Sequence, residues 1–220
     1  MNQTKKDMKT LKKTIFPFVF AALAALVSCN NDDVEEYVYV PLTNAEKTQQ
    51  INAMQGSYSG LCYYTPDNYL QAFTDSAKAE WVITVPDSTI TIRNFPLKVF
   101  ANNVINTEVK EALKNDSTQT LKVAVYLYRP WGTSGPLTNC FFNAIPRGSE
   151  DLKVDMPLTF GEEQKNATFV FSTNYNYSYY ATGVFDSNKS MYFYMILEKI
   201  IIENGPTCDV NALVVFAGSK

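Results

Sequence analysis

Short apolar–polar alternations, each closed by turn residues, recur along most of this 220-residue chain and commit it to strands. Residues 79–85 (Ala-Glu-Trp-Val-Ile-Thr-Val) and 88–93 (Ser-Thr-Ile-Thr-Ile-Arg) are rich in β-branched residues. Pro86-Asp87-Ser88 joins them with turn chemistry, which predicts a hairpin. Tyr58, Leu61, Tyr63 and Tyr64 open an earlier strand. Residues 121–128, 151–160 and 166–172 supply three more, and 131–148, with three glycines and two prolines after Pro130, reads as a long ordered loop. Residues 190–202 are apolar on both faces and read as a strand covered on both sides. Asn204-Gly205-Pro206 then turns the chain into a last strand at 210–217.

One stretch breaks the period of two. Phe100, Val104, Ile105, Val109, Ala112 and Leu113 recur at three and four, which predicts a helical insert over about 97–114, with Asn106-Thr107 as a point of division into two short helices. A second short helix is expected from Asn44-Ala45-Glu46-Lys47 toward Met54, stopped by Gly56. Eight or nine strands with one helical insert describe a mainly β, antiparallel domain over 45–220, either a sandwich or a closed barrel.

The first 28 residues read as an address. Lys5, Lys6, Lys9, Lys12 and Lys13 form a positive leader, and residues 15–27 give thirteen almost unbroken apolar positions. A bilayer span needs about 20, so the run suits a secretory signal instead. It ends in Leu26-Val27-Ser28-Cys29, which resembles the bacterial lipoprotein lipobox. That resemblance implies cleavage before Cys29 and diacylation of its sulfur, and two acyl chains suffice for stable anchoring. Removing the five lysines and Asp7 leaves 14 basic and 21 acidic side chains, a net charge of −7. Residues 29–44 open with Asp32, Asp33, Glu35 and Glu36 and read as an acidic flexible tether. They resemble the acidic export signal of surface lipoproteins, so an outer-membrane anchor is expected, facing either the cell surface or the periplasm.

The chain contains no histidine. That removes Ser-His-Asp and Cys-His nucleophile pairs, His-containing zinc sites and imidazole acid–base steps. No cofactor or metal is expected, and the acidic balance argues against a nucleic-acid partner. Carboxylates remain the one conventional catalytic route, through a pair flanking a glycosidic bond. Asp151, Asp155, Glu162, Glu163, Asp186 and Glu198 are available, without a spacing that pairs any two of them.

Aromatic residues are the most informative candidates. Residues 171–194 hold nine of them, against 14% for the whole chain. At strand period, Tyr175, Tyr177 and Tyr179 share one face with Phe169 and Phe171, opposite Asn174, Asn176 and Ser178. Flat rings with interleaved amides suit sugar stacking or an apolar ligand, while ordinary cross-strand packing is the structural alternative. Trp131, between Pro130 and Gly132 in the long loop, is read as plugging the barrel end, with ligand anchoring as its functional alternative. With Cys29 lipidated, three cysteines remain. A closed barrel would make the first and last strands neighbours and allow a Cys62–Cys208 bridge; three separate buried thiols is the other arrangement.

The lipobox to Cys29, Gln55-Gly56-Ser57-Tyr58-Ser59-Gly60, and Ile90-Thr91-Ile92-Arg93-Asn94-Phe95-Pro96 together resemble an uncharacterised family of Bacteroidota envelope lipoproteins. The resemblance implies an envelope lipoprotein and supplies no catalytic or ligand residue. The expected function is therefore a non-enzymatic, membrane-anchored module binding a glycan or small apolar ligand. The alternatives are an accessory lipoprotein docking on a partner envelope protein and, more remotely, a carboxylate glycoside hydrolase.

Overall fold

A computed structural model describes residues 39–64, 75–85, 87–115, 118–172 and 182–220. Ten strands appear: β1 (Gly56–Tyr64), β2 (Asp75–Thr84), β3 (Thr89–Phe95), β4 (Gln119–Tyr128), β5 (Cys140–Pro146), β6 (Lys153–Phe160), β7 (Glu163–Phe171), β8 (Gly183–Phe185), β9 (Ser190–Ile202) and β10 (Thr207–Ser219). All pairings are antiparallel. The sheet runs β10-β1-β2-β3-β4-β5-β8-β9 and returns through β9–β10, which closes an eight-stranded barrel. The sandwich alternative is thereby excluded.

Closure depends on local bends. Between Ile92 and Phe95 the β3–β4 register shifts, with Asn94 at φ 54°. Between Asp209 and Ala212 the β9–β10 register shifts, with Asn211 at φ 49°. Asparagine tolerates this left-handed backbone better than most residues, and bulges of this kind increase strand bend and twist. The first bulge puts Ile92 and Phe95 both inside while Arg93 and Asn94 face out.

Eight strands make an interior just wide enough for side chains, and here Trp81, Phe95, Phe142, Phe193 and Phe216 fill it. Trp81 stacks on Tyr58 at 5.8 Å and 4° and meets Phe193 and Phe216 edge-on. Phe193 and Phe216 stack at 4.6 Å. Both ends are covered. Helix α1 (Asn44–Met54) lies over the end where β1 begins and β4 and β10 finish, burying Ile51 and Met54. At the other end a 3-10 helix (Leu97–Asn103) inserts Phe100 against Phe95, Phe169 and Phe171, and α2 (Thr107–Asn115) buries Val109, Ala112 and Leu113. The predicted insert thus divides as expected, with Asn106 capping α2 through the Val109 N–H.

Two expectations change. Residues 140–146 form β5 rather than loop, with Cys140, Phe142 and Ala144 inside. Strand β9 is covered on one face only: Met191, Phe193, Met195 and Leu197 point in, while Tyr192 is 40% exposed. Its Glu198-Lys199 step coincides with a register shift between Val170 and Phe171 of β7, so two successive polar residues leave the inward face without breaking the strand. The outer edge of β9 pairs with β8 at one end and β7 at the other. The β6–β7 hairpin therefore branches from the barrel wall, with Pro157 in β6 at the end of the strand order, where the missing N–H costs no ladder bond.

Helix α1 is fixed by a capping box on Thr43, one residue before the expected start. The Thr43 N–H donates to Glu46 Oε2 at 2.8 Å, and the Glu46 N–H donates to Thr43 Oγ1 at 3.2 Å. Arg129, at the end of β4 and 3% exposed, donates to Glu46 Oε1 and to the Gly135 carbonyl. Bonds from Thr43, then the Arg129 guanidinium, hold the Glu46 carboxyl below its ordinary 4.5. A carboxyl depressed in the folded state contributes stability above its unfolded value and loses it as pH falls through the folded one. Glu46→Gln is therefore expected to flatten the acid limb of stability below pH 4.5. Urea midpoints measured at neutral and acid pH check this; identical pH dependence in both proteins would contradict it.

Candidate aromatic wall

Because side chains alternate across a strand, each inward core residue has outward neighbours, and their register builds the candidate site. Leu61 of β1 lies opposite Ala217 of β10, Ala217 opposite Tyr192 of β9, and Tyr192 opposite Val184 of β8. Val184 lies opposite Phe141 of β5, and Phe141 opposite Tyr128 of β4. This is one unbroken cross-strand row over six strands, about 24 Å long at ordinary strand spacing. A second row sets Tyr63 opposite Val215 and Val215 opposite Tyr194. Neither row contains a charge. The first ends at Lys78, paired with Leu61, and Arg147 and Asp151, joined at 2.7 Å, lie beside the exposed Tyr126.

The tyrosines are partly withdrawn from water. Burial raises the hydroxyl pKa of Tyr194; at Tyr128 burial and then Tyr194 and Tyr39 raise it, and at Tyr63 burial and then Tyr192. These influences place Tyr39 and Tyr194 close to Tyr128, and Tyr192 close to Tyr63. Trp131 joins the first group: it is 47% exposed and stacks on Tyr39 at 5.8 Å and 9°. Its role as a barrel plug is therefore corrected, because α1 covers that end and the indole lies outside.

The expected binding face of Tyr175, Tyr177 and Tyr179 lies outside the described residues, as does Cys29. Within the same aromatic-rich segment, Tyr192 and Tyr194 face out and Phe193 faces in. Their partners Leu61, Phe141 and Tyr128 come from distant strands, and only long-range register reveals them.

The three remaining cysteines are separate, buried thiols. The β1–β10 neighbourhood holds, but its register sets Cys62 opposite Phe216. Cys208 lies eight residues back along β10, roughly 26 Å, far beyond disulfide reach. Burial raises the thiols of Cys62 and Cys208 and pushes that of Cys140 up to about 11, partly offset there by Lys220. They are held as thiols at neutral pH, which makes them poor nucleophiles.

Among the candidate carboxylates, Asp151 pairs with Arg147, Asp155 accepts from the Thr168 hydroxyl, and Glu163 pairs with Lys165. Asp186 accepts the backbone N–H groups of Asn188 and Ser190 in the β8–β9 turn. Each is engaged in holding strands or turns. No group of three or more acidic or cysteine residues able to hold a metal occurs among the described residues.

No curated protein and no solved structure matches the chain. A family model described as a domain of unknown function (DUF4840) matches residues 53–202, a span from the end of α1 to the end of β9 that holds most of the barrel. The chain therefore belongs to the DUF4840 family.

Proposed function

We propose that this protein is a non-catalytic docking module of the bacterial cell envelope, held to the outer membrane by acyl chains on Cys29, that binds a partner protein through its aromatic outer wall. The charge-free row from Leu61 to Tyr128 carries the reading. Interface cores are depleted of charge and enriched in tyrosine and tryptophan, with polar rims. The row's length suits a standard patch of about 800 Å² per partner. A small apolar ligand, as in an open barrel, is less well supported, because large aromatic side chains fill the interior. The lipobox ending at Cys29 and the acidic residues after it support a Bacteroidota lipoprotein, at the cell surface or the periplasmic face.

Site-directed photo-crosslinking in intact cells tests this. A photoreactive residue at 192 or 126 is expected to capture one discrete protein, and a control at Ile105, which is 95% exposed at the other end of the barrel, is not. No adduct from the wall, or the same adduct from position 105, would overturn the proposal. Against the captured partner, Tyr192→Ala is expected to weaken binding roughly thirtyfold, about 2 kcal/mol, as for an interface anchor.

A further inference from the structure

The barrel end covered by α1 carries an exposed apolar tip. Of the eight large hydrophobic side chains exposed among the described residues, three gather here: Tyr39 at 41%, Val40 at 43% and Trp131 at 47%. Tyr39 and Trp131 stack, and Val40 follows Tyr39 in the chain. Two segments bear the tip, residues 39–43 before α1 and residues 130–139 between β4 and β5, and neither contains a charged side chain.

The indole is held in place by its own loop. Gly132 takes φ 76°, and the Pro130 carbonyl accepts from both the Thr133 N–H at 3.3 Å and the Thr133 hydroxyl at 2.6 Å, which closes a tight turn at Trp131. Arg129, itself buried, ties that loop to α1 through the Gly135 carbonyl and Glu46. A fixed loop that presents large uncharged rings to solvent is built as a contact surface, since a core would bury them.

What the tip meets follows from the tether. Cys29 lies ten residues before Tyr39, and ten residues reach at most about 35 Å when fully extended. With Cys29 acylated, Tyr39 stays within that distance of a lipid surface, and Trp131 stays with it. We infer that the tip seats in the headgroup layer of the bilayer that holds the Cys29 acyl chains. Tryptophan and tyrosine are the side chains that favour this layer, where one end of the ring system is apolar and the other wet. An uncharged loop takes no ionised group out of water, and the tether keeps lipid at high effective concentration, so a weak contact suffices. The inference rests on the acylation of Cys29 and adds a second membrane contact, which turns α1 toward the bilayer and Ile105 away from it. The other occupant of the tip is a protein partner reaching past Tyr128 from the aromatic wall, and protein-free vesicles separate the two.

The test uses the mature acylated protein in vesicles of phosphatidylethanolamine and phosphatidylglycerol. The chain has two tryptophans, of which Trp81 is fully buried and Trp131 exposed. Lipids brominated near the headgroup end of their acyl chains quench an indole that touches them. The unsubstituted protein is expected to lose most of its Trp131 emission, and Trp131→Phe, which leaves Trp81 alone, to lose almost none. Combining Trp131→Phe with Ile105→Trp puts an indole at the far end of the barrel, and that emission is expected to persist. Vesicle flotation and the mass of Cys29 read the anchor separately. Protein that floats but shows the same quenching with and without Trp131, or equal quenching of indoles at 105 and 131, overturns the tip contact while the anchor stands, and leaves the tip to a protein partner. Protein that fails to float and carries no acyl chains overturns the anchor and the tip contact together.

Discussion

Gly60→Ala is expected to be among the most damaging single changes in this protein, although it adds one methyl group. A Cβ at this position would lie 2.1 Å from the Ala217 carbonyl oxygen and 2.6 Å from Gly218 Cα, so the clash is with backbone that no rotamer change can relieve. Gly218 has the reciprocal constraint, with Ser59 oxygen at 2.4 Å and the Trp81 ring at 2.7 Å. The two glycines let β1 and β10 approach at the seam that closes the barrel. Overpacking costs about 1–3 kcal/mol where side chains can adjust, and more where they cannot. We therefore expect at least about 3 kcal/mol, or a fall of roughly 6–12 °C in Tm for a domain of this size. Gly135→Ala is the control, because nothing lies within 4 Å of its added carbon. Thermal melts of the three proteins decide the matter, and equal Tm values for the Gly60 and Gly135 variants would refute the close seam.

Trp81→Ala is the second large effect. The indole is fully buried and touches rings from β1, β9 and β10, so its removal opens a cavity bounded by three other strands. Large-to-small aromatic changes in cores cost about 3–5 kcal/mol. Trp81→Phe separates packing from hydrogen bonding. Since the indole N–H has no partner among the described residues, the phenylalanine variant should recover most of the loss, limited by its smaller volume. Urea denaturation of both variants measures this. If Trp81→Phe is as unstable as Trp81→Ala, the N–H is making a stabilising bond that the described contacts lack.

Strands with strong local signals are legible in the amino-acid sequence alone. The β2–β3 hairpin follows from period-two alternation around Pro86-Asp87, and α2 follows from Val109, Ala112 and Leu113 at three- and four-residue spacing. Strand β5 is obscured because a proline- and glycine-containing loop runs directly into it and Pro146 ends it, although Cys140, Phe142 and Ala144 alternate correctly. Barrel closure is not legible, because it is decided by Asn94 and Asn211 adopting left-handed backbone at bulges, and asparagine in a strand looks the same whether or not it bulges. The aromatic density around Tyr192 and Tyr194 is readable, and so is Trp131 as a candidate. The cross-strand row through Tyr192 is not, since Leu61 and Tyr192 meet only through Ala217.

The seam between β1 and β10 also has a kinetic meaning. Most neighbouring strands in this barrel are close in sequence and can pair as they are made, but the ring is completed only when residues 214–219 reach residues 59–64. Contacts this distant slow folding, because chain entropy is lost before they form. Until then β1 and β9 each present a free edge of unpaired N–H and C=O groups, the form of β structure most open to pairing with another chain. A chain that acquires its last strand late must be shielded, or diluted, while it waits. Mutations that slow the arrival of β10 should therefore appear first as aggregation during production, before any loss of stability in the finished protein.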